Sequence, residues 1–138
     1  MKIGVRAHDY GKHSIEGLAS LLREEGYDGA QLALPKVFEE IDSYEDIRLS
    51  HIERIRRAFE KNRVEIPVMG CYMDLGNPDR SVREYAVETL KNCLLYAKEM
   101  GAGVVGTETA YPSLSREERA AWCPYMMDSL MRVMEEAQ

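Results

Sequence analysis

The stretch "VEIPVMGCYMDLGNPD", residues 64–79, carries the pattern that decides the fold. Residues 64–70 form a short apolar run that predicts a strand, and the glycine, asparagine and proline after it are typical of a turn. Beyond the turn, from about Ser81, apolar residues recur three and four positions apart, which predicts a helix. This part of the chain therefore contains one complete unit of strand, loop and helix.

The same unit occurs four times along the chain. Predicted strands cover residues 2–6, 29–34, 64–70 and 103–107, and the helices after them start near Ser14, Ser50, Ser81 and Ser115. Repeated strand–helix units imply a parallel sheet with right-handed crossovers, so the predicted fold class is α/β with four βα units. Four units could form a small open sheet with helices on both faces, or half of a TIM (β/α)8 barrel.

Three of the helix starts share a pattern in which a serine is followed three residues later by a glutamate. Each pair predicts a reciprocal cap, in which the serine accepts from the glutamate amide and the glutamate accepts from the serine amide. The pairs are Ser50 with Glu53, Ser81 with Glu84, and Ser115 with Glu118.

Prolines and glycines give further signals about these elements. Pro67, inside the third strand, counts against a central position in the sheet, because proline cannot donate to the ladder. Pro124 falls inside the pattern of the last helix and predicts a break there. Gly26 and Gly101 follow the last apolar turns of the first and third helices and predict left-handed stops.

Length, charge and cysteine content narrow the class of protein. A chain of 138 residues predicts one compact domain, and no apolar stretch nears the roughly 20 residues that span a bilayer, so no membrane partner is expected. With 18 basic and 24 acidic residues, the net charge of -6 repels a phosphate backbone and predicts no nucleic-acid partner. Cys71, Cys93 and Cys123 are far apart and odd in number, which predicts a cytoplasmic protein with free thiols.

Four segments together carry a resemblance to a known family. "KIGVRAHDYG" (2–11), "LLREEGYDGAQLAL" (21–34), "VMGCYMDLGNPD" (68–79) and "AKEMGAGVVGTETA" (97–110) resemble the N-terminal half of the xylose-isomerase-like (β/α)8 barrels. The resemblance implies that residues 1–138 are a single domain, half of a barrel that is truncated before its fifth strand. The sequence also ends within a predicted helix that has no glycine or proline stop, as expected for a truncated chain.

The resemblance implies a sugar or sugar-phosphate isomerase or epimerase. In such enzymes a divalent metal (Mn, Mg, Co or Zn) is held by the later strands, so we expect metal only with the missing half and weak or absent activity for this chain. The family also contains endonuclease-IV-type DNA repair enzymes, which have histidines at the ends of strands three and four. Residues 69–72 and 106–109 contain no histidine, so this phosphodiesterase activity is the less expected alternative.

Polar residues after the first two strands are candidates for substrate binding, because the active face of such barrels is built from the loops after strands. His8 and Asp9 follow the first strand, and the histidine could bind a phosphate or shuttle a proton; the alternative is a solvated loop. Lys36, beyond the second strand, could contact an anionic substrate.

The third and fourth strands end in further candidates. Glu108 is the predicted catalytic acid, because a carboxylate at a strand end could bind hydroxyls or ligate a metal; the alternative is a loop glutamate paired with Arg6 or a backbone amide. Tyr72 could bind sugar hydroxyls or support the turn. Cys71 is predicted to line a pocket or to pack in the core, since no base or positive charge adjoins it.

A non-enzymatic role is the alternative hypothesis. Exposed parallel edges are an aggregation liability, so two half-barrels could cover each other's edges as a homodimer without catalysis. Four methionines near the carboxyl terminus predict a surface that packs against something else: Met126, Met127, Met131 and Met134.

Overall fold

The computed structural model describes residues 1–108 and 114–137, and its centre is one parallel sheet. The sheet has four strands in the order β1-β2-β3-β4. Every neighbouring pair is parallel, which confirms the α/β class and the four strand–helix units. The strands are β1 (Gly4–Arg6), β2 (Gly29–Leu32), β3 (Glu65–Gly70) and β4 (Val104–Gly106).

Helices connect the strands, as the apolar periodicity predicts. A short helix that follows β2 was not predicted, and it begins at Leu34 with Pro35 in its first turn. The helices are α1 (Ile15–Glu24), α2 (Leu34–Val37), α3 (Leu49–Asn62), α4 (Arg80–Met100) and α5 (Arg116–Glu136). Two 3-10 turns, Ala7–Tyr10 and Tyr44–Asp46, lie in the loops after β1 and β2.

The chain forms two compact units. Unit one comprises Met1–Gly70 and Leu95–Gly106 and contains the whole sheet. Unit two comprises Cys71–Leu94 and the described residues beyond Gly106. In unit one, α1 and α3 pack together and bury one apolar side each, as amphipathic helices do. The buried residues there include Ile15, Leu18, Leu22, Ile52, Ile55 and Phe59.

The third strand is central in spite of its proline, so the expectation drawn from Pro67 was wrong. Gly29 pairs with Glu65 and Gln31 pairs with Val68, so two steps along β2 match three along β3. The extra residue lies beside Pro67, and such an irregularity leaves a residue out of the ladder. The missing proline N–H therefore falls where the ladder is already interrupted.

Both left-handed stops predicted from glycine are present, whereas only one of the three predicted serine caps is. Gly26 and Gly101 have φ of +86° and +80°, as left-handed stops require. Ser115 Oγ accepts from the Glu118 amide at 3.2 Å, and the Ser115 amide donates to Glu118 Oε2 at 2.7 Å. This cap at the start of α5 is confirmed.

The caps predicted at Ser50 and Ser81 were wrong, because both helices begin earlier than their serines. Helix α3 begins at Leu49, which places Ser50 in its first turn. At α4, the Asp79 carboxylate takes the capping position and accepts from both the amide and the hydroxyl of Ser81 at 2.8 Å. The hydrogen bond from Ser81 lowers the pKa of Asp79, so the capping group stays ionised.

The break predicted at Pro124 was also wrong, since α5 continues through it. Proline removes only one hydrogen bond of a helix that has many. Beyond it, Ser129 and Val133 are buried, so packing holds the second part of the helix in line.

Candidate functional site

The carboxyl ends of all four strands lie at one edge of the sheet in unit one. Arg6 pairs with Gln31, Leu32 pairs with Met69, and Gly70 pairs with Gly106. Because the strands are parallel, the ends at Arg6, Leu32, Gly70 and Gly106 form a single edge, called the carboxyl edge below. In parallel α/β folds this is the edge at which ligands bind.

The segment after β1 places a charge pair at the carboxyl edge. Asp9 is exposed, and its two carboxylate oxygens accept from Arg6 Nε at 3.1 Å and from Arg6 Nη2 at 2.8 Å. These hydrogen bonds from the guanidinium lower the pKa of Asp9. The Asp9 side chain is therefore held in place by Arg6 and stays negatively charged. His8 lies beside this pair and is half-buried.

The structure brings Lys36 to the same region as His8 and Asp9. Lys36 is exposed in α2, which follows β2 and packs against the 3-10 turn that carries His8. A parallel bridge joins the two loops: the His13 amide donates to the Val37 carbonyl at 2.9 Å, and the Glu39 amide donates to the His13 carbonyl at 3.0 Å. The loops after β1 and β2 are thus held together by backbone hydrogen bonds.

Tyr44 is a residue of the carboxyl edge that the sequence pattern does not reveal. Its hydroxyl donates to the carbonyl of Gly70, the last residue of β3, at 3.3 Å. Tyr44 lies 26 positions away in a charged loop, and only the parallel pairing of β2 with β3 brings the two together. It adds a half-buried phenol to the end of the sheet.

The other three predicted site residues belong to unit two. Cys71 is fully buried directly after β3, Tyr72 is half-buried next to it, and Glu108 is exposed two residues beyond β4. The structure thus groups His8, Asp9 and Lys36 in unit one, and Cys71, Tyr72 and Glu108 in unit two.

Cys71 packs against a second thiol. Cys71 and Cys93 are both buried, and a hydrogen bond between their side chains, together with burial, raises the pKa of the Cys93 thiol. A neutral buried thiol is a weak nucleophile. The complete burial of Cys71 favours the packing role for this side chain.

We expect the three thiols to differ in their reaction with iodoacetamide. Cys123 is exposed, so it should be alkylated rapidly in the native protein, whereas Cys71 and Cys93 should react only after unfolding in urea. Peptide mass spectrometry after timed quenching measures each site. A Cys123→Ser variant should take up no rapid label, and labelling of native Cys71 at the rate of Cys123 would contradict the packing role.

The loop after β3 is organised by its own polar residues. Asp74 Oδ2 accepts from Asn77 Nδ2 at 2.6 Å, and Asn77 Oδ1 accepts from the Asp79 amide at 2.9 Å. Arg83 Nη1 donates to the carbonyls of Asn77 and Pro78 at 2.6 and 2.9 Å. Asp74 therefore supports the turn that leads into α4.

Ser129 anchors the same loop within unit two. Its buried hydroxyl donates to the Leu75 carbonyl at 2.8 Å. We expect Ser129→Ala to lower the free energy of unfolding by about 1–3 kcal/mol, because a buried carbonyl would lose its partner. Urea unfolding followed by circular dichroism measures the loss. Ser20→Ala is the control, since it removes only an exposed hydrogen bond to Glu24, and an equal loss in both variants would contradict the anchoring role.

The described residues do not fit a resident metal. Within residues 1–108 and 114–137, no group of three or more histidine, cysteine, aspartate or glutamate side chains is arranged to hold a metal ion. In the same part of the chain, no helix has the length and apolar character needed to cross a membrane.

Comparison with known proteins identifies relatives of this fold. A family model described as xylose isomerase-like TIM barrel matches residues 19–138. No curated protein matches the sequence.

Several solved structures share the fold of the chain. One is D-psicose 3-epimerase from Clostridium cellulolyticum H10, solved with D-tagatose, at 15% identity and a TM-score of 0.75, with 99% of this chain covering 48% of that one. The probable 3-DHS dehydratase AsbF from Bacillus anthracis has 14% identity and a TM-score of 0.69, with coverage of 99% and 49%.

A third is a xylose isomerase-like TIM barrel protein from Mycobacterium smegmatis in complex with magnesium, at 13% identity and a TM-score of 0.63, with coverage of 99% and 52%. At such identities the likeness shows the fold alone. The chain spans about half the length of these structures.

Proposed function

Because this chain belongs to the xylose isomerase-like TIM barrel family, we propose that it supplies the sugar-binding carboxyl edge of a sugar or sugar-phosphate isomerase or epimerase. The observation that carries the proposal is the single edge at which all four parallel strands end, with polar side chains directly after them. The epimerase among the similar structures supports a sugar as the substrate class.

The residues of unit one are suited to binding. Lys36 provides a cation for an anionic substrate group such as a phosphate. His8 provides a hydrogen bond to a hydroxyl or phosphate oxygen. Asp9, held by Arg6, is a fixed acceptor for a sugar hydroxyl.

The residues of unit two are assigned to the reacting part of the sugar. The Glu108 carboxylate would take the proton from the carbon next to the substrate carbonyl, and the electron pair of that C–H bond would move onto the carbonyl oxygen. A solvent water would donate a proton to the opposite face of the same carbon while the electron pair returns from the oxygen to re-form the carbonyl, and the proton on Glu108 would pass to the hydroxide that is left. Tyr72 would bind a hydroxyl, and Cys71, the residue before it in the sequence, would have only a packing role.

In a longer form of the protein we propose dependence on a divalent metal, which would polarise substrate oxygens and be held by residues outside this chain. The magnesium complex of a similar structure supports this for the family. With its three free cysteines, we assign the protein to the cytoplasm. This chain by itself should show weak or no turnover.

Binding of D-tagatose to the 138-residue chain tests the proposal. We expect Glu108→Gln to weaken binding about tenfold, which corresponds to the loss of one charge-assisted hydrogen bond of about 1.4 kcal/mol. Isothermal calorimetry measures the affinity, with D-xylose and a ketose phosphate as further probes. Glu117→Gln, an exposed change in α5, is the matched control and should bind as the parent does. No binding of any probe, or equal affinity of all variants, would contradict the proposal.

A second candidate is a non-catalytic half-barrel that associates with itself. In the described part of the chain, β1 pairs only with β2 and β4 pairs only with β3. In such an association, the outer strands β1 and β4 would be covered by another copy of the chain. Phosphodiester cleavage of damaged DNA is the weakest candidate, since the net charge is -6.

A further inference from the structure

An open pocket lies at the amino end of β3 in unit one. It has a volume of about 340 Å³ and lies where α3 ends, β3 begins and α4 ends. Its lining includes Arg56, Glu60 and Arg63 from α3 and its end, Glu65 from β3, and Gly101 after α4. Such a volume is in the range of small-molecule sites. This pocket, called the amino-end pocket below, is separated from the carboxyl edge by the length of β3, about 17 Å.

The apolar part of the amino-end pocket is already packed. Phe59 and Met100 line the pocket and are only 1% and 4% exposed. Side chains that are buried to this extent are held in place by their neighbours, so the pocket does not need a ligand to form it. A Cβ added to Gly101 would meet no atom within 4 Å, so open space lies next to the backbone there.

Arg63 has a backbone conformation that glycine favours. The left-handed stops after α1 and α4 are glycines with φ of +86° and +80°, whereas the stop after α3 is Arg63 with φ of +56°. The stop itself is made by the backbone, since the Arg63 amide donates to the Glu60 carbonyl at 3.0 Å and the Val64 amide donates to the Phe59 carbonyl at 3.1 Å. Glycine would adopt this conformation at a lower cost. An arginine at this position therefore indicates a use for its guanidinium.

The charged groups around the pocket leave Arg63 available to a ligand. Glu65 is paired with Lys2 by a hydrogen bond, and Arg56 Nη1 lies 3.8 Å from Glu60 Oε1. Arg63 is exposed and has no ion pair within residues 1–108 and 114–137. The carbonyls at the ends of α3 and α4 attract cations, which favours guanidinium groups at this place. Each guanidinium has five N–H donors, so donors remain for a further acceptor.

We propose that the amino-end pocket binds a small phosphate-bearing molecule, whose phosphate oxygens accept hydrogen bonds from the guanidinium groups of Arg63 and Arg56. Two parallel N–H···O bonds from one guanidinium match the geometry of a phosphate. The net charge of -6 repels anions from most of the surface, so binding depends on these two arginines. The site does not overlap the carboxyl edge, and the inference does not depend on the proposed function.

Amide chemical shifts during titrations with inorganic phosphate and with pyrophosphate test the site. At constant ionic strength, both probes should cause saturable changes centred on residues 62–66 and 100–102. Sodium chloride over the same range should cause no saturable change there. The positions of the shifts distinguish this pocket from any phosphate binding near Lys36.

Two variants separate binding from structure. Arg63→Gly should weaken phosphate binding about tenfold, which corresponds to the loss of a charge-assisted contact. Its midpoint of urea unfolding should equal or exceed that of the parent, because glycine suits the left-handed conformation. Arg56→Gln should also weaken binding about tenfold. Arg57→Gln is the matched control and should bind as the parent does, because Arg57 lies on the same helix but pairs with Glu53 and lines a different groove.

Three results would overturn the proposal. The first is the absence of saturable shifts with either probe. The second is a set of shifts confined to residues after the strand ends, such as His8 and Lys36, which would assign phosphate to the carboxyl edge instead. The third is an Arg63→Gly variant that binds phosphate as the parent does and unfolds at lower urea, which would assign the arginine to the helix stop alone. Failure of sugar binding with intact phosphate binding at residues 62–66 would reject only the proposed function.

Discussion

Phe59→Ala should lower the free energy of unfolding by about 3–5 kcal/mol, the range for removal of a buried aromatic side chain. Phe59 lies on α3 and is almost completely buried in unit one. It lies at the base of an open surface pocket of about 340 Å³, whose lining also includes Arg56, Glu60 and Arg63. Removal of the ring takes a buried apolar side chain out of the packing between α3 and the rest of unit one, which accounts for a loss within this range.

Urea unfolding of Phe59→Ala, followed by circular dichroism, measures this loss. Leu49→Ala is the matched control, because Leu49 begins the same helix and is 64% exposed. The control should change stability by less than about 0.5 kcal/mol. A loss below about 1 kcal/mol for Phe59→Ala would mean that α3 is not packed as described.

Leu75→Ala should lower the free energy of unfolding by about 2–5 kcal/mol and should loosen the loop after β3. Leu75 is fully buried in unit two, and its carbonyl accepts the hydrogen bond from Ser129. This loop also carries Tyr72 and the turn made by Asn77 and Pro78. Loss of the Leu75 side chain removes an apolar anchor from a segment that is otherwise held by Cys71 and by polar contacts.

Hydrogen exchange measures the expected loosening of the loop after β3. In Leu75→Ala, amides of residues 71–79 should exchange faster, while amides of β2 in unit one keep their protection. Val82→Ala, in the first turns of α4 and partly exposed, is the control and should leave the loop unchanged. If amides in both units lost protection from exchange equally, Leu75 would affect only the global stability, and the predicted local loosening of the loop would be wrong.

The order of strands and helices could be predicted because it depends on short-range periodicity. Each strand is a brief apolar run and each long helix has apolar residues three and four apart, so the elements are visible without tertiary information. The left-handed stops at Gly26 and Gly101 follow in the same way, since only backbone conformation decides them.

The errors arise where tertiary structure overrides a local rule. Pro67 is tolerated in a central strand because the register between β2 and β3 shifts beside it. The Ser81 cap was replaced by Asp79, because this carboxylate lies two residues earlier and accepts the hydrogen bond from the Ser81 amide. Pro124 does not end α5, since Ser129 and Val133 hold the later turns by packing.

The candidate site could be predicted only in part. The sequence itself shows that predicted strands are followed by His8, Asp9 and Lys36. Parallel pairing of β1 with β2 then brings the two segments together. The contact of Tyr44 with Gly70 could not be predicted, because it depends on how the loop after β2 folds back. The thiol contact of Cys71 with Cys93 likewise joins a strand end to a helix position that no local pattern relates.

Amide chemical shifts during a titration with D-tagatose test the central claim most directly, because they report where the sugar binds. If the sugar binds at the carboxyl edge, the amide chemical shifts should change only for residues that follow the strand ends, such as His8, Lys36, Tyr72 and Glu108. Residues that precede the strands, such as Asp28 and Val64, should not shift. Shifts centred on the amino ends of the strands, or scattered over both ends, would contradict a sugar site at the carboxyl edge.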